Sequence, residues 1–291
     1  MLSLLAASGA AADPIYWTDL GLRPYLFEIG GFQLRYYSLA YLIGIVFAYW
    51  HLSKMLKAPG APMAQRHADD LFFYCTLGVI LGGRLGYAIF YQPGIWDNPV
   101  DVLKLWQGGM SFHGGLIGVL LAVTWVAWRG RLNWLRVIDY IAVTYPLGHF
   151  LGRIANFING ELWGRQTDVP WGMIFPDERA GEVVRHPSQL YQAGLEGLLP
   201  LIVLMFLFWK TKARYRPGLL AGVFTVMMGG ARFINEFFRE PDAQLADFAA
   251  RTGLSMGQWL TIPLILTGLI VTLYAVTRKP VGTQPAKAAA A

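Results

Sequence analysis

Residues Gly148–Gly164 read GHFLGRIANFINGELWG. The stretch begins inside an apolar run, Val137–Leu151, and carries Arg153 into what that run places at membrane depth. Asn156, Asn159 and Glu161 follow at short spacing. A guanidinium in hydrocarbon is costly, so it is held against a partner, a water-filled cavity or an anionic ligand. On a helix, Arg153 and Asn156 are three apart and share a face, so one anion could meet both. An arginine that ties two helices together through backbone carbonyls obeys the same rule. The stretch alone leaves both readings open.

Outward from it, the chain is apolar. Of its 291 residues 55% are hydrophobic and 14% charged, with a mean hydropathy of +0.41. Soluble domains carry about 25% charged residues, so the composition points to an all-α, polytopic membrane protein. About seven stretches approach the ~20 residues that cross a bilayer. They lie near 36–53, 70–91, 110–128, 137–157, 187–209, 217–238 and 257–277. The net charge of +6 is distributed in a way that argues against nucleic acid. Connections 54–69, 129–136, 210–216 and 278–291 hold thirteen Lys and Arg, whereas the longer alternate set holds eight. The positive-inside rule then puts the first set in the cytoplasm, with the N-terminus outside and the C-terminus inside. Arg84, Arg153 and Arg232 are left within spans.

This divides the chain into three parts. Residues 1–35 form an N-terminal extension and an outer-face interfacial segment. Residues 36–277 form the transmembrane domain, with a small periplasmic head at about 158–186. Residues 278–291 are a disordered tail. Within the first part, residues 1–13 resemble the end of a signal peptide without a basic n-region. Tyr25–Arg35 alternates around Gly30-Gly31 and reads as a short hairpin. The single cysteine, Cys75, lies in an apolar span among Phe72, Phe73 and Leu77 and reads as a packing residue. No His or Cys pair stands at metal-ligand spacing.

Several polar residues stand out against this background. His113 follows Gly108-Gly109 and precedes Gly114-Gly115 at the mouth of the third span. Imidazole is the natural side chain to accept a proton near neutral pH, although a lone histidine is more often a satisfied hydrogen-bonding residue. Arg84 lies near the outer end of the second span, where it can snorkel to the headgroups. Asp139 is expected to pair with Arg136 or a helix terminus, and His149 to be structural. Glu196 is an intramembrane carboxylate that calls for a buried arginine. Arg232, Asn235, Glu236 and Arg239 fall at i, i+3, i+4 and i+7, one helical face on which Glu236 can hold either arginine.

The run Gly152-Arg153-x-Ala155-Asn156-Phe157-Ile158-Asn159-x-Glu161-x-x-Gly164 resembles the signature of bacterial phosphatidylglycerol–prolipoprotein diacylglyceryl transferases. The resemblance runs from about Tyr25 to about Arg278, through the further blocks Trp106–Gly118 and Arg185–Tyr191. It implies an inner-membrane enzyme that moves diacylglyceryl from phosphatidylglycerol to the lipobox cysteine of a preprolipoprotein, releasing glycerol-1-phosphate. No cofactor, metal or nucleic acid is implied; the partners are the lipid, the signal peptide and the bilayer. By the same resemblance His113, Arg153, Arg232 and Tyr37 are catalytic. Arg153, Asn156, Arg232, Glu236, Arg239, Glu161 and Gly164 bind phosphatidylglycerol. Ser38, Gln192 and Met228 depart from the family pattern, so no role is carried to the last two. An anionic-lipid transporter or flippase could use the same arginines, but the sequence lacks the inverted repeats of such proteins. A non-catalytic scaffold would not need three intramembrane arginines.

Overall fold

The computed structural model describes residues 14–105, 108–240 and 251–282. The leader-like residues 1–13, positions 106–107 of the second family block and the tail from 283 onward lie outside the described residues. The helices are α1 (Tyr36–Leu56), α2 (Gln65–Phe90), α3 (Phe112–Arg129), α4 (Trp134–Ile158), α5 (Ser188–Lys210), α6 (Leu219–Asn235) and α7 (Met256–Thr277). Five of them, α1, α2, α3, α5 and α7, are long and apolar enough to cross a membrane. The sixth, α6, is apolar but has only 17 residues.

The expected count of seven spans thus meets a difference at α4. This helix has 25 residues but carries Arg136, Asp139, His149, Arg153 and Asn156. It can afford them because it is central. It packs against α1, α3, α5 and α6, so protein rather than lipid meets its polar side chains. Its contact with α1 is close: a Cβ on Gly44 would stand 2.9 Å from the Gly148 Cα. The α2–α3 pair is tighter still, since a Cβ on Gly82 would reach within 2.3 Å of the Gly114 carbonyl oxygen. Small residues are what allow two backbones to approach so nearly.

The four Lys/Arg-rich connections meet at one end. Arg136 donates to the carbonyls of Gly60 (2.6 Å) and Arg214 (3.2 Å), and Arg216 to that of Arg278 (3.2 Å). Of the two partners expected for Asp139, the helix terminus is the one observed. Its carboxylate accepts from the amides of Gly218 (2.7 Å) and Ala221 (2.8 Å), satisfying orphan donors at the start of α6. Next to this end lies the main apolar core, with Tyr140, Phe208, Met55, Leu71, Leu204 and Leu220 fully buried.

The opposite end carries the irregular structure. Strands β2 (Tyr25–Ile29) and β3 (Phe32–Arg35) form the expected hairpin, turning through Gly30 and Gly31 at φ of 56° and 83°. Segment 159–187 forms a small head that borrows its core. Trp17 packs with Phe175 and Ala180 and donates from its indole to the Phe157 carbonyl at 2.8 Å. Beside it, β1 (Ile15–Tyr16) pairs in parallel with β4 (Met173–Ile174).

Candidate active site

The polar residues of α4, α5 and α6 converge near the head end. Helix α5 contains a π-helical turn, Ala193–Leu198, which holds Glu196 with 2% of its side chain exposed. One carboxylate oxygen, Oε2, meets His149 Nε2 of α4 at 2.9 Å. The other, Oε1, accepts from Asn235 Nδ2 of α6 at 2.9 Å. Arg153 Nη2 stands 3.8 Å from Oε2. The arginine expected beside Glu196 is therefore Arg153, and the other ring nitrogen of His149, Nδ1, lies 3.1 Å from the Tyr145 hydroxyl.

Arg232 lies within electrostatic reach of both Glu196 and Arg153. Its nearest counter-charge is Glu236, with Nη2 at 3.7 Å from Oε2. The same Oε2 lies 3.4 Å from Arg239 Nη1. The single helical face expected for this group is not formed. Helix α6 ends at Asn235, Glu236 is its C-cap, and Arg239 lies in an extended segment that pairs with Gly164. Asn235 consequently turns inward, fully buried on Glu196, while Glu236 collects both arginines. Gly257 backs this carboxylate; a Cβ there would reach within 2.6 Å of Glu236.

Arg153 and Arg232 are ion-paired but not spent. Among the described residues neither guanidinium makes a hydrogen bond, and their side chains are 21% and 32% exposed. Arg84 is the opposite case. It is 4% exposed and donates to the carbonyls of Asp101 (2.7 Å), Val102 (2.8 Å), Lys104 (3.2 Å), Gly108 and Gly109 (3.2 Å). Snorkelling of Arg84 is thereby excluded, because its donors are used up on the arm between α2 and α3. The helix-tie reading belongs to this arginine.

The remaining candidates fall into three places. Asn156 donates to Glu161 Oε1 at 2.8 Å, as Asn159 does at 3.1 Å. Tyr37 opens α1, half-exposed beside Tyr41, within electrostatic reach of Glu161 and Arg153. Gly164 is a junction of the head. Its amide donates to the His186 carbonyl at 2.9 Å, and a Cβ there would lie 2.3 Å from the Phe238 carbonyl oxygen. His113 is exposed on the first turn of α3, its ring edge-on to Phe112, and no contact among the described residues joins it to the arginines. The sequence reading missed Asn235 as a partner of Glu196; the signal available was an amide one helical turn beyond Arg232. Among the described residues no group of three or more His, Cys, Asp or Glu side chains could hold a metal ion.

The family model for prolipoprotein diacylglyceryl transferase matches residues 24–274. The chain is 66% identical over 282 residues to the phosphatidylglycerol–prolipoprotein diacylglyceryl transferase of Erythrobacter litoralis, covering 97% of this chain and 99% of that one. The chain belongs to the prolipoprotein diacylglyceryl transferase family. Other members of the same name come from Zymomonas mobilis, 52% identical over 264 residues (88% of this chain, 91% of that one), and Rhodospirillum centenum, 46% over 276 residues (93% and 96%). The family's signature run thus spans the end of α4 and the chain leading from it into the head. Its third block opens α5, where Ser188, Gln189, Gln192 and Glu196 are all buried. Ser188 Oγ and Gln189 Nε2 donate to the carbonyls of Leu162 (3.0 Å) and Glu161 (2.6 Å), binding the two blocks of the family together.

Proposed function

We propose that this chain transfers the diacylglyceryl group of phosphatidylglycerol to the lipobox cysteine thiol of a preprolipoprotein. The attacking sulfur forms a bond to the glyceryl carbon that bears the phosphate, the carbon–oxygen bond breaks, and glycerol-1-phosphate leaves. The observation that carries this reading is the pair of unspent guanidiniums, Arg153 beside Glu196 and Arg232 beside Glu236. Each can offer a planar fork of donors to a phosphate. The leaving phosphate gains charge as the bond breaks, and fixed donors aimed at it lower the barrier. Arg239, drawn to Glu236, adds positive charge beside them. Asn156 serves the site by holding Glu161, and Tyr37 offers its phenol at the opening of α1. We assign the thiol proton to His113, whose imidazole has no hydrogen bond among the described residues.

We further propose that all seven helices lie in the inner membrane, with the head on the periplasmic side. The reading is supported by the meeting of the four Lys/Arg-rich connections at the end opposite the head. Purified protein, phosphatidylglycerol and a lipobox peptide in detergent test the activity by mass shift. A diacylglyceryl increment on the peptide is expected, and its absence refutes the reading. Arg153→Lys and Arg232→Lys should each lower turnover by about 100-fold or more, the scale of one lost donor to a developing charge, without lowering the melting temperature.

A further inference from the structure

We infer that Glu196, carried on the π-helical turn of α5, is a positioning residue for this transfer: its carboxylate is the counter-ion of Arg153 and, through Asn235, holds the helix that carries Arg232. The inference rests on the reading above. It starts from how the two oxygens are divided. Oε2 faces α4 through His149, and Oε1 faces α6 through Asn235. His149 lies four residues before Arg153, and Asn235 three residues after Arg232. Each anchor is thus one helical turn from the arginine of its own helix, on the same face. A single carboxylate clamps both arginine-bearing helices next to the groups that matter.

The local backbone is shaped for this. A π-helical turn widens the helix by one residue and occurs most often at functional sites. Here it spans Ala193–Leu198. Gly197, the residue after Glu196, lies flush on α4, where a Cβ would stand 2.6 Å from the Phe150 Cα. Glu196 is thereby delivered into the gap between α4 and α6 with 2% of its side chain exposed.

Charge, rather than hydrogen bonding alone, explains the choice of residue. A neutral amide could bridge His149 and Asn235, and α5 uses glutamine at the buried positions 189 and 192. A carboxylate at this depth is expensive. What it adds is attraction on the Arg153 guanidinium without consuming its donors, which stop at 3.8 Å, beyond hydrogen-bond reach. Arg153 is held by charge, and its N–H groups stay free for the phosphate. Such preorganisation is what a developing anion exploits.

Glu196→Gln isolates the charge, because glutamine keeps the shape, accepts from Asn235 and donates to the other tautomer of His149. The melting temperature in detergent should stay at the wild-type value. Turnover should fall on the order of 100-fold, as expected for misplaced groups, while KM for phosphatidylglycerol does not rise. That split marks lost transition-state stabilisation rather than lost binding. Glu196→Asp, which keeps the charge, should recover part of the turnover. Wild-type turnover in Glu196→Gln, or a loss matched by an equal fall in melting temperature or by a raised KM, overturns the inference. A structure of the Glu196→Gln protein gives a readout independent of transfer. A displaced Arg153 guanidinium is expected, and an unmoved one refutes the role of Glu196 even if the peptide assay fails for the wild type.

Discussion

Asn156 gives its side-chain amide to the Glu161 carboxylate at 2.8 Å, so two residues of the signature run close on each other. Asn156 is 5% exposed, and Asn159 supplies a second amide to the same oxygen. Asn156→Asp would set two carboxylates face to face. We expect lost transfer and a stability loss of about 1–3 kcal/mol, the scale of a buried polar group left without its partner. Adding Glu161→Gln reverses the direction of the hydrogen bond, and the double variant should regain most of the lost melting temperature. A wild-type melting temperature in Asn156→Asp would sink this account.

Arg84 calls for a different outcome from Arg153. Its guanidinium serves five carbonyls of the arm that leads to His113, and a lysine cannot reach them all. Arg84→Lys should therefore lose stability first, by about 2 kcal/mol or more for carbonyls left unpaired, with activity following the folded fraction. Thermal melting of Arg84→Lys beside Arg153→Lys separates the two kinds of arginine, since only the former should melt early.

Much of the architecture was legible because it rests on local pattern. The apolar runs locate the helices to within a few residues, and Gly30-Gly31 between alternating segments gives the hairpin. What the sequence left open depends on groups distant along the chain. Arg84 is a tie because carbonyls 17 to 25 residues away accept from it, whereas among the described residues no carbonyl accepts from Arg153. Glycines show the same limit. Gly82 and Gly152 are alike in letters, yet a Cβ on the first would strike the Gly114 carbonyl, whereas one on the second meets nothing within 4 Å. The helical face drawn through Arg239 failed because α6 stops at Asn235, where the chain turns to pair with Gly164. Phe72, Phe73 and Leu77, read as surroundings of Cys75, are exposed on the outside of α2.

His186 provides a pH test outside the spans. Burial pushes its imidazole below the ordinary histidine range, with the Asp168 carboxylate pulling the other way. The ring is edge-on to Tyr191 and Phe238 in the head. A histidine whose folded pKa is depressed binds its proton more readily when unfolded, so stability rises with pH between the two values. The contribution is fully present above the unfolded value of about 6.5 and declines as pH falls through it. Melting temperature in detergent should drop between pH 7 and pH 5, and His186→Asn should flatten that part of the curve. An equal drop in the variant would assign the pH dependence to other groups.

Cys75 is half-buried in α2 and packs against the apolar core near the basic end. It precedes Arg84 by nine residues, about 13 Å along a helix at 1.5 Å per residue, and so stands well back from the end where Arg153 and Arg232 converge. A two-step mechanism through an enzyme thiol would require it at that end. Direct displacement by the acceptor's own cysteine requires no enzyme nucleophile. Cys75→Ala should therefore keep wild-type turnover, with a stability loss of about 1 kcal/mol from the small cavity left behind. Replacing the lipobox cysteine of the peptide should abolish the mass shift entirely. Inactivity of a folded Cys75→Ala protein, or recovery of a diacylglyceryl adduct on Cys75, would replace the one-step reaction with a covalent one.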